Sequence, residues 1–246
     1  MGAIATTRTP AGWGSDDLST FLELAHHNTL ASFANLPTVY QKLRAIDEAW
    51  AKLLGGLDNL REPKEFVALP LAYRAHASFR ASARLSLAGQ VYESVVVDRS
   101  CLESALYGLY VAKTEGAAEV WLHRNDSDGD LGKMKETFQI GTMKAFLTTV
   151  APKLGAATNT IYQSFIEFGG HPNPLGVLGS AEWADIEGGK KLSTTYLFGD
   201  SVQLHFGLKG TAQAGFGALA VSCLTFETRA ELLGVSAILP KLAKGL

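Results

Sequence analysis

The stretch from Val95 to Lys113, VVVDRSCLESALYGLYVAK, is apolar on most faces of a helix, yet it holds Arg99 and Glu103 four residues apart. Tyr107 and Tyr110 continue roughly the same stripe. Burying either charge alone is costly, so each needs a partner. The two satisfy one another, or they meet Arg80, Arg84 or His171 across a bundle. The apolar neighbours Val95, Val96, Leu102 and Leu106 predict a largely buried pair. Loss of Glu103 is then expected to cost about 3–5 kcal/mol by orphaning Arg99. The same residues read first as a structural network and second as a functional site, with Glu103, Arg99 and His171 as catalytic candidates.

His171 sits in Gly169-Gly170-His171-Pro172-Asn173-Pro174, a run that cannot be regular helix. Its glycines and prolines predict a rigid turn holding His171 and Asn173 in fixed places, as in many functional loops. The alternative is a structural His that ties the loop down. His76, Arg80 and Arg84 form a stripe with a four-residue step on an Ala-rich helix, either a solvated face or half of a polar network. Arg124 follows His123 at the end of a short helix. The ligand-binding candidates are therefore Arg80, Arg84, Arg99, Glu103, Tyr107, Arg124, His171 and Asn173.

Other patterns fail on spacing. With Gly129 at the sixth position of a calcium loop, Arg124 would be first and Lys135 twelfth; with Asp126 first, Leu131 takes the glycine's place. Asn125–Asp130 reads instead as a solvated loop, with Asp130 capping the next helix. Gly215-Phe216-Gly217-Ala218-Leu219-Ala220 matches a dinucleotide fingerprint in letters but lacks a preceding strand and βαβ alternation, so its glycines read as helix-packing positions. His26 and His27 are adjacent and point about 100° apart on a helix. No metal site and no cofactor are expected.

The elements that position these residues have helical period. Helices are expected from Ser15 or Asp16 to about Phe33, from Thr38 to Leu54, from near Pro70 to Gly89, and from Val91 to Lys113. Others follow near Ala117–Arg124, Leu131–Val150, Pro152–Phe168 and Thr211–Leu233. Short connections favour antiparallel neighbours. Leu192–Phe198 and Val202–Leu208 alternate around Gly199-Asp200, which predicts one β-hairpin over 192–208 with His205 on its solvated face. The fold class is thus mainly α, an antiparallel helical bundle with one small hairpin. Residues 1–14 form a loose arm, and 15–246 form a single domain with the hairpin inserted.

A chain of 246 residues with a formal net charge of -2 has ample length for a core and no general electrostatic affinity for nucleic acid. The two cysteines, Cys101 and Cys223, lie in apolar helical patterns and read as buried thiols of a reducing compartment. No signal peptide or spanning segment is expected, so the protein is taken as cytoplasmic, with no membrane partner.

Four runs, Ala83–Gln90, Arg99–Tyr107, Ala118–Leu122 and Gly170–Asn173, resemble a bacterial family of uncharacterised helical proteins that is itself similar to the HEPN superfamily, whose members bind nucleotides and are often ribonucleases. The resemblance covers roughly residues 70–175. It implies a helical bundle, a homo-oligomer (a dimer), and a role in stress or phage defence. Catalytic members place a His four to six residues after an Arg; here Arg74 and His76 are too close, and His76 precedes Arg80. The leading expectation is accordingly a non-catalytic HEPN-like protein that binds a small molecule or a protein partner, with Arg84, Arg99, Glu103 and His171 lining a polar cavity. The alternatives are a metal-independent ribonuclease or phosphotransfer enzyme, in which His171 moves the proton and Arg99 or Arg124 stabilises phosphate charge, and a purely structural protein.

Overall fold

A computed structural model describes residues 9–170 and 174–246. The expected loose arm up to residue 8, and the turn residues His171 to Asn173, lie outside the described residues. Described residues form helices α1 (Asp17–Asn35), α2 (Pro37–Gly55), α3 (Pro63–Leu87), α4 (Val91–Lys113), α5 (Ala117–Leu122), α6 (Asp128–Thr137), α7 (Ile140–Val150) and α8 (Pro152–Phe165). A π-helical turn (Ile166–Gly170) extends α8 to the edge of the undescribed residues. Then come α9 (Pro174–Leu178), strands β1 (Ala181–Ile186) and β2 (Gly189–Thr194), α10 (Val202–Thr225), α11 (Glu227–Leu232) and α12 (Val235–Leu242). The fold is mainly α with one small antiparallel hairpin.

Small residues explain the packing of the centre. Ala68, Ala72, Ala75, Phe79, Ser82 and Ser86 on α3 are buried and recur by steps of four and three, a seam along which α4 and α10 approach closely. On α10, Leu204, Leu208, Thr211, Gly215 and Ser222 are all buried, and that helix lies against α2, α3, α4 and α8. A Cβ at Gly215 would sit 2.2 Å from a ring carbon of Phe79, so the fingerprint-like glycines are packing positions. The Trp50 indole on α2 closes the layer by donating to the Gly215 carbonyl at 3.0 Å. Cys101 and Cys223 are buried free thiols. The tight α3–α4 turn rests on Gly89 at φ +87°, against which the Phe198 amide docks by donating to the Gly89 carbonyl at 2.9 Å.

Several expectations change. The hairpin lies at 181–194, not 192–208: Ile186 pairs with Gly189 around Glu187-Gly188, with Gly188 at φ +83°. Val202–Leu208 begins α10 instead, because Ser201 accepts from the Leu204 amide at 3.2 Å and the buried set Leu204, Gly207, Leu208 has helical spacing. The apparent alternation included Val202, which is 83% exposed. His205 therefore lies in the first turn of a helix, bonded to Asp200 at 2.9 Å. The third helix starts at Pro63 and takes Pro70 inside it on its exposed side, where the carbonyl that loses its donor reaches water. Leu131–Val150 divides into α6 and α7, and Ser127 rather than Asp130 caps α6, accepting from the Asp130 amide at 3.1 Å. Thr211–Leu233 divides into α10 and α11.

Candidate functional site

The polar stripe of α4 meets α8. Arg99 Nε donates to Glu103 Oε1 at 2.8 Å, and the Tyr162 hydroxyl donates to the same carboxylate oxygen at 2.5 Å while accepting from Arg99 at 3.1 Å. The pair is half-buried rather than sealed, with side-chain exposures of 25% and 31%, because it stands at the border between the α4–α8 contact and solvent. Tyr162 is buried, and Lys144 Nζ lies 4.7 Å from its ring centre. Burial and the bond to Glu103 push its phenol up to about 12. Glu103 Oε1 thus holds both Arg99 and Tyr162, and this arrangement ties α8 to α4.

The remaining candidates are spread over other contacts. Arg80 grips Asp47 on α2 with two bonds, at 2.7 and 2.9 Å, and His76 shares the Oδ1 oxygen at 2.7 Å while stacking on Trp50. The Arg80 bonds hold the Asp47 carboxyl below its ordinary range, and burial keeps His76 below its own despite Asp47. Arg84 lines a separate groove between α1 and α3, beside Phe21 and His26. Tyr107 stacks on Phe138 at 5.1 Å, and the buried Arg124 Nε has no hydrogen-bond partner among the described residues. His171 and Asn173 lie outside the described residues. Arg80, Arg84 and Arg99 thus work against three different neighbours, α2, α1 and α8, and of the set expected to line one cavity only Arg99 and Glu103 are brought together among the described residues.

Two further sets escaped the sequence. Asp98, fully buried on α4, accepts from Ser82 at 2.5 Å, its other oxygen is hydrogen-bonded to the Thr211 hydroxyl at 3.3 Å, and the two hydroxyls are 2.9 Å apart. Burial pushes Asp98 up to about 8, so it is a neutral acid near pH 7 that joins α3, α4 and α10 through a closed ring of hydroxyls. A polar residue next to Arg99 in an apolar helix was the available signal.

The second set lines a cavity of about 380 Å³ between α8, α10 and the end of α12. Leu154, Thr158 and Ile161 present one face of α8, and Gln213, Phe216 and Gly217 one face of α10. Ala243 and Leu246 form the third wall, held by Lys42, whose ammonium donates to the carbonyls of Leu242 at 3.0 Å and Lys244 at 2.7 Å. A second chamber of about 420 Å³ shares Leu154, Phe216 and Ala243 and continues along Cys223. Thr158 is the anomaly. Thr29, Thr148, Thr149, Thr160 and Thr225 each return their hydroxyl to the carbonyl four residues back, at 2.9–3.2 Å. The Thr158 hydroxyl, on a residue 2% exposed, has no hydrogen-bond partner among the described residues, and neither has that of Thr114 at the end of α4. An orphaned buried hydroxyl costs about 1–3 kcal/mol.

Neither family models nor curated proteins nor solved structures gave a match to this chain. Among the described residues no group of three His, Cys, Asp or Glu side chains is placed to hold a metal ion, and no helix is long and apolar enough to cross a membrane.

Proposed function

We propose that this chain is a non-catalytic helical binding protein, HEPN-like in frame, whose small-molecule ligand occupies the cavity between α8, α10 and α12. The observation that carries the reading is the cavity of about 380 Å³ itself, mostly apolar in its lining, with Thr158, Thr160 and Gln213 as its polar residues. That volume lies within the range of ordinary ligand pockets. Apolar lining with a few polar groups is the usual composition of such sites. The polar triad of Arg99, Glu103 and Tyr162 then has a supporting role, fixing α8 and hence the wall that holds Thr158.

The test uses a neutral apolar fluorophore, N-phenyl-1-naphthylamine, with wild type and with Ala157→Trp, a change at an exposed residue on the cavity wall. Saturable binding to wild type that is lost in the variant is expected. Equal binding to both, or none to either, refutes the reading. Chelator-resistant cleavage of single-stranded RNA that disappears in His171→Ala would replace it with the ribonuclease alternative.

A further inference from the structure

We propose that the free edge of β2 pairs antiparallel with the same edge of a second copy of this chain, Leu192 opposite Leu192. The product is a four-stranded sheet in the order β1-β2-β2-β1, closed by a two-fold axis. This surface shares no residue with the cavity between α8, α10 and α12.

Three observations lead there. First, the hairpin has no seat on its own molecule. Every residue of β1 and β2 but Ala181 is exposed, and residues 174–196 include no buried residue. Trp183, Ile186, Leu192 and Tyr196 all stand about half-exposed or more. A two-stranded ribbon alone is marginal in water, and further strands stabilise it. A stretch of this length also matches the roughly 20–30 residues that each partner gives to a standard interface.

Second, the unpaired backbone groups are defined. The Thr195 amide donates to the Ser180 carbonyl at 2.8 Å, which continues the β1–β2 ladder. By the two-residue period of a strand, Gly189, Lys191 and Ser193 then turn their backbone groups toward β1. Lys190, Leu192 and Thr194 turn theirs outward, at an edge that no strand covers among the described residues.

Third, charge selects the edge and the register. Two β1 edges would gather three carboxylates from each copy, Glu182, Asp185 and Glu187, whereas two β2 edges gather two lysines from each. Outward residues must meet outward residues. Leu192 against Lys190 sets Lys191 on Lys191, a destabilising like pair. Leu192 against Thr194 leaves both lysines off the end of a shortened ladder. Leu192 against Leu192 places Lys190 opposite Thr194 and Lys191 opposite Ser193, and leaves Lys190 its own Asp185 at 3.5 Å. Because Trp183 is the cross-strand partner of Leu192, that register also aligns Trp183, Leu192, Leu192 and Trp183 in one row across the sheet.

Sedimentation velocity and single cysteines in the full chain test it. Wild type is expected to be a dimer, and Leu192→Lys to associate about tenfold more weakly with an unchanged circular dichroism spectrum. After diamide oxidation, Leu192→Cys should give a covalent dimer, since opposed residues lie within disulfide reach. Lys190→Cys and Thr194→Cys should cross-link when mixed and not alone. Cys101 and Cys223 are buried and contribute no background. A monomeric wild type, a dimer that survives Leu192→Lys, or self-cross-linking of Trp183→Cys in place of Leu192→Cys overturns the proposal. So does a mass that grows without limit, the mark of β1 pairing on β2 in an open filament.

Discussion

Replacing Asp98 by Asn removes one pH dependence. Asp98 is 0% exposed, and burial moves its acid from an ordinary 3.8 to about 8. Between those values the folded chain binds a proton that the unfolded chain releases. Folding stability from this group is therefore complete below about pH 4 and is lost as the pH rises toward 8. The slope is about 1.4 kcal/mol per pH unit, and the whole window amounts to about 6 kcal/mol. Asn keeps the shape and the contacts: its carbonyl accepts from Ser82, and its amide donates to the Thr211 hydroxyl. It has no proton to lose. Urea unfolding of wild type and Asp98→Asn at pH 5 and pH 7 isolates the effect, because every other titrating group cancels in the difference. Wild type should lose about 3 kcal/mol relative to the variant between the two conditions. A difference that stays constant refutes the buried-acid argument.

Two more predictions concern packing and the polar triad. Glu103→Ala should destabilise by about 2 kcal/mol, below the range for a sealed charge, because water reaches the half-buried Arg99; Tyr162→Phe should cost about 1–2 kcal/mol, and the double variant clearly less than the sum of the two. Chemical denaturation reads all three, and strict additivity refutes the shared bond. Gly215→Ala drives a methyl group to 2.2 Å from the Phe79 ring, which is 1% exposed and has nowhere to turn; a loss of about 2–3 kcal/mol, or roughly 5–10 °C in Tm, is expected by calorimetry, and an unchanged Tm refutes it.

What the sequence made legible follows period and charge. The steps of three and four at Leu43, Ile46, Trp50 and Leu53 on α2 gave that helix directly, and the Arg99–Glu103 spacing gave their ion pair. Partners distant in sequence were invisible: Tyr162 lies 59 residues from Glu103, and Asp47 lies 33 from Arg80. Alternation misled at Val202–Leu208 because Val202 and Phe206 imitate a strand face, whereas the cap at Ser201 carried the true signal. The strands themselves have every residue but one exposed, so no buried face imprinted a pattern on Ala181–Thr194. Thr158 has no sequence mark, since its distinction is a bond it fails to make.

The position of α10 has a consequence for synthesis. The helix that the α2, α3, α4 and α8 surfaces close upon begins only at Val202. A ribosome adding about 5–20 residues per second spends roughly 10–40 s on what precedes it. From the completion of α4 at Lys113 to the start of α10, about 4–18 s of that interval, the α3–α4 hairpin lacks the helix that covers its seam of small residues. Arrest before α10 emerges leaves a polypeptide with no completed interior.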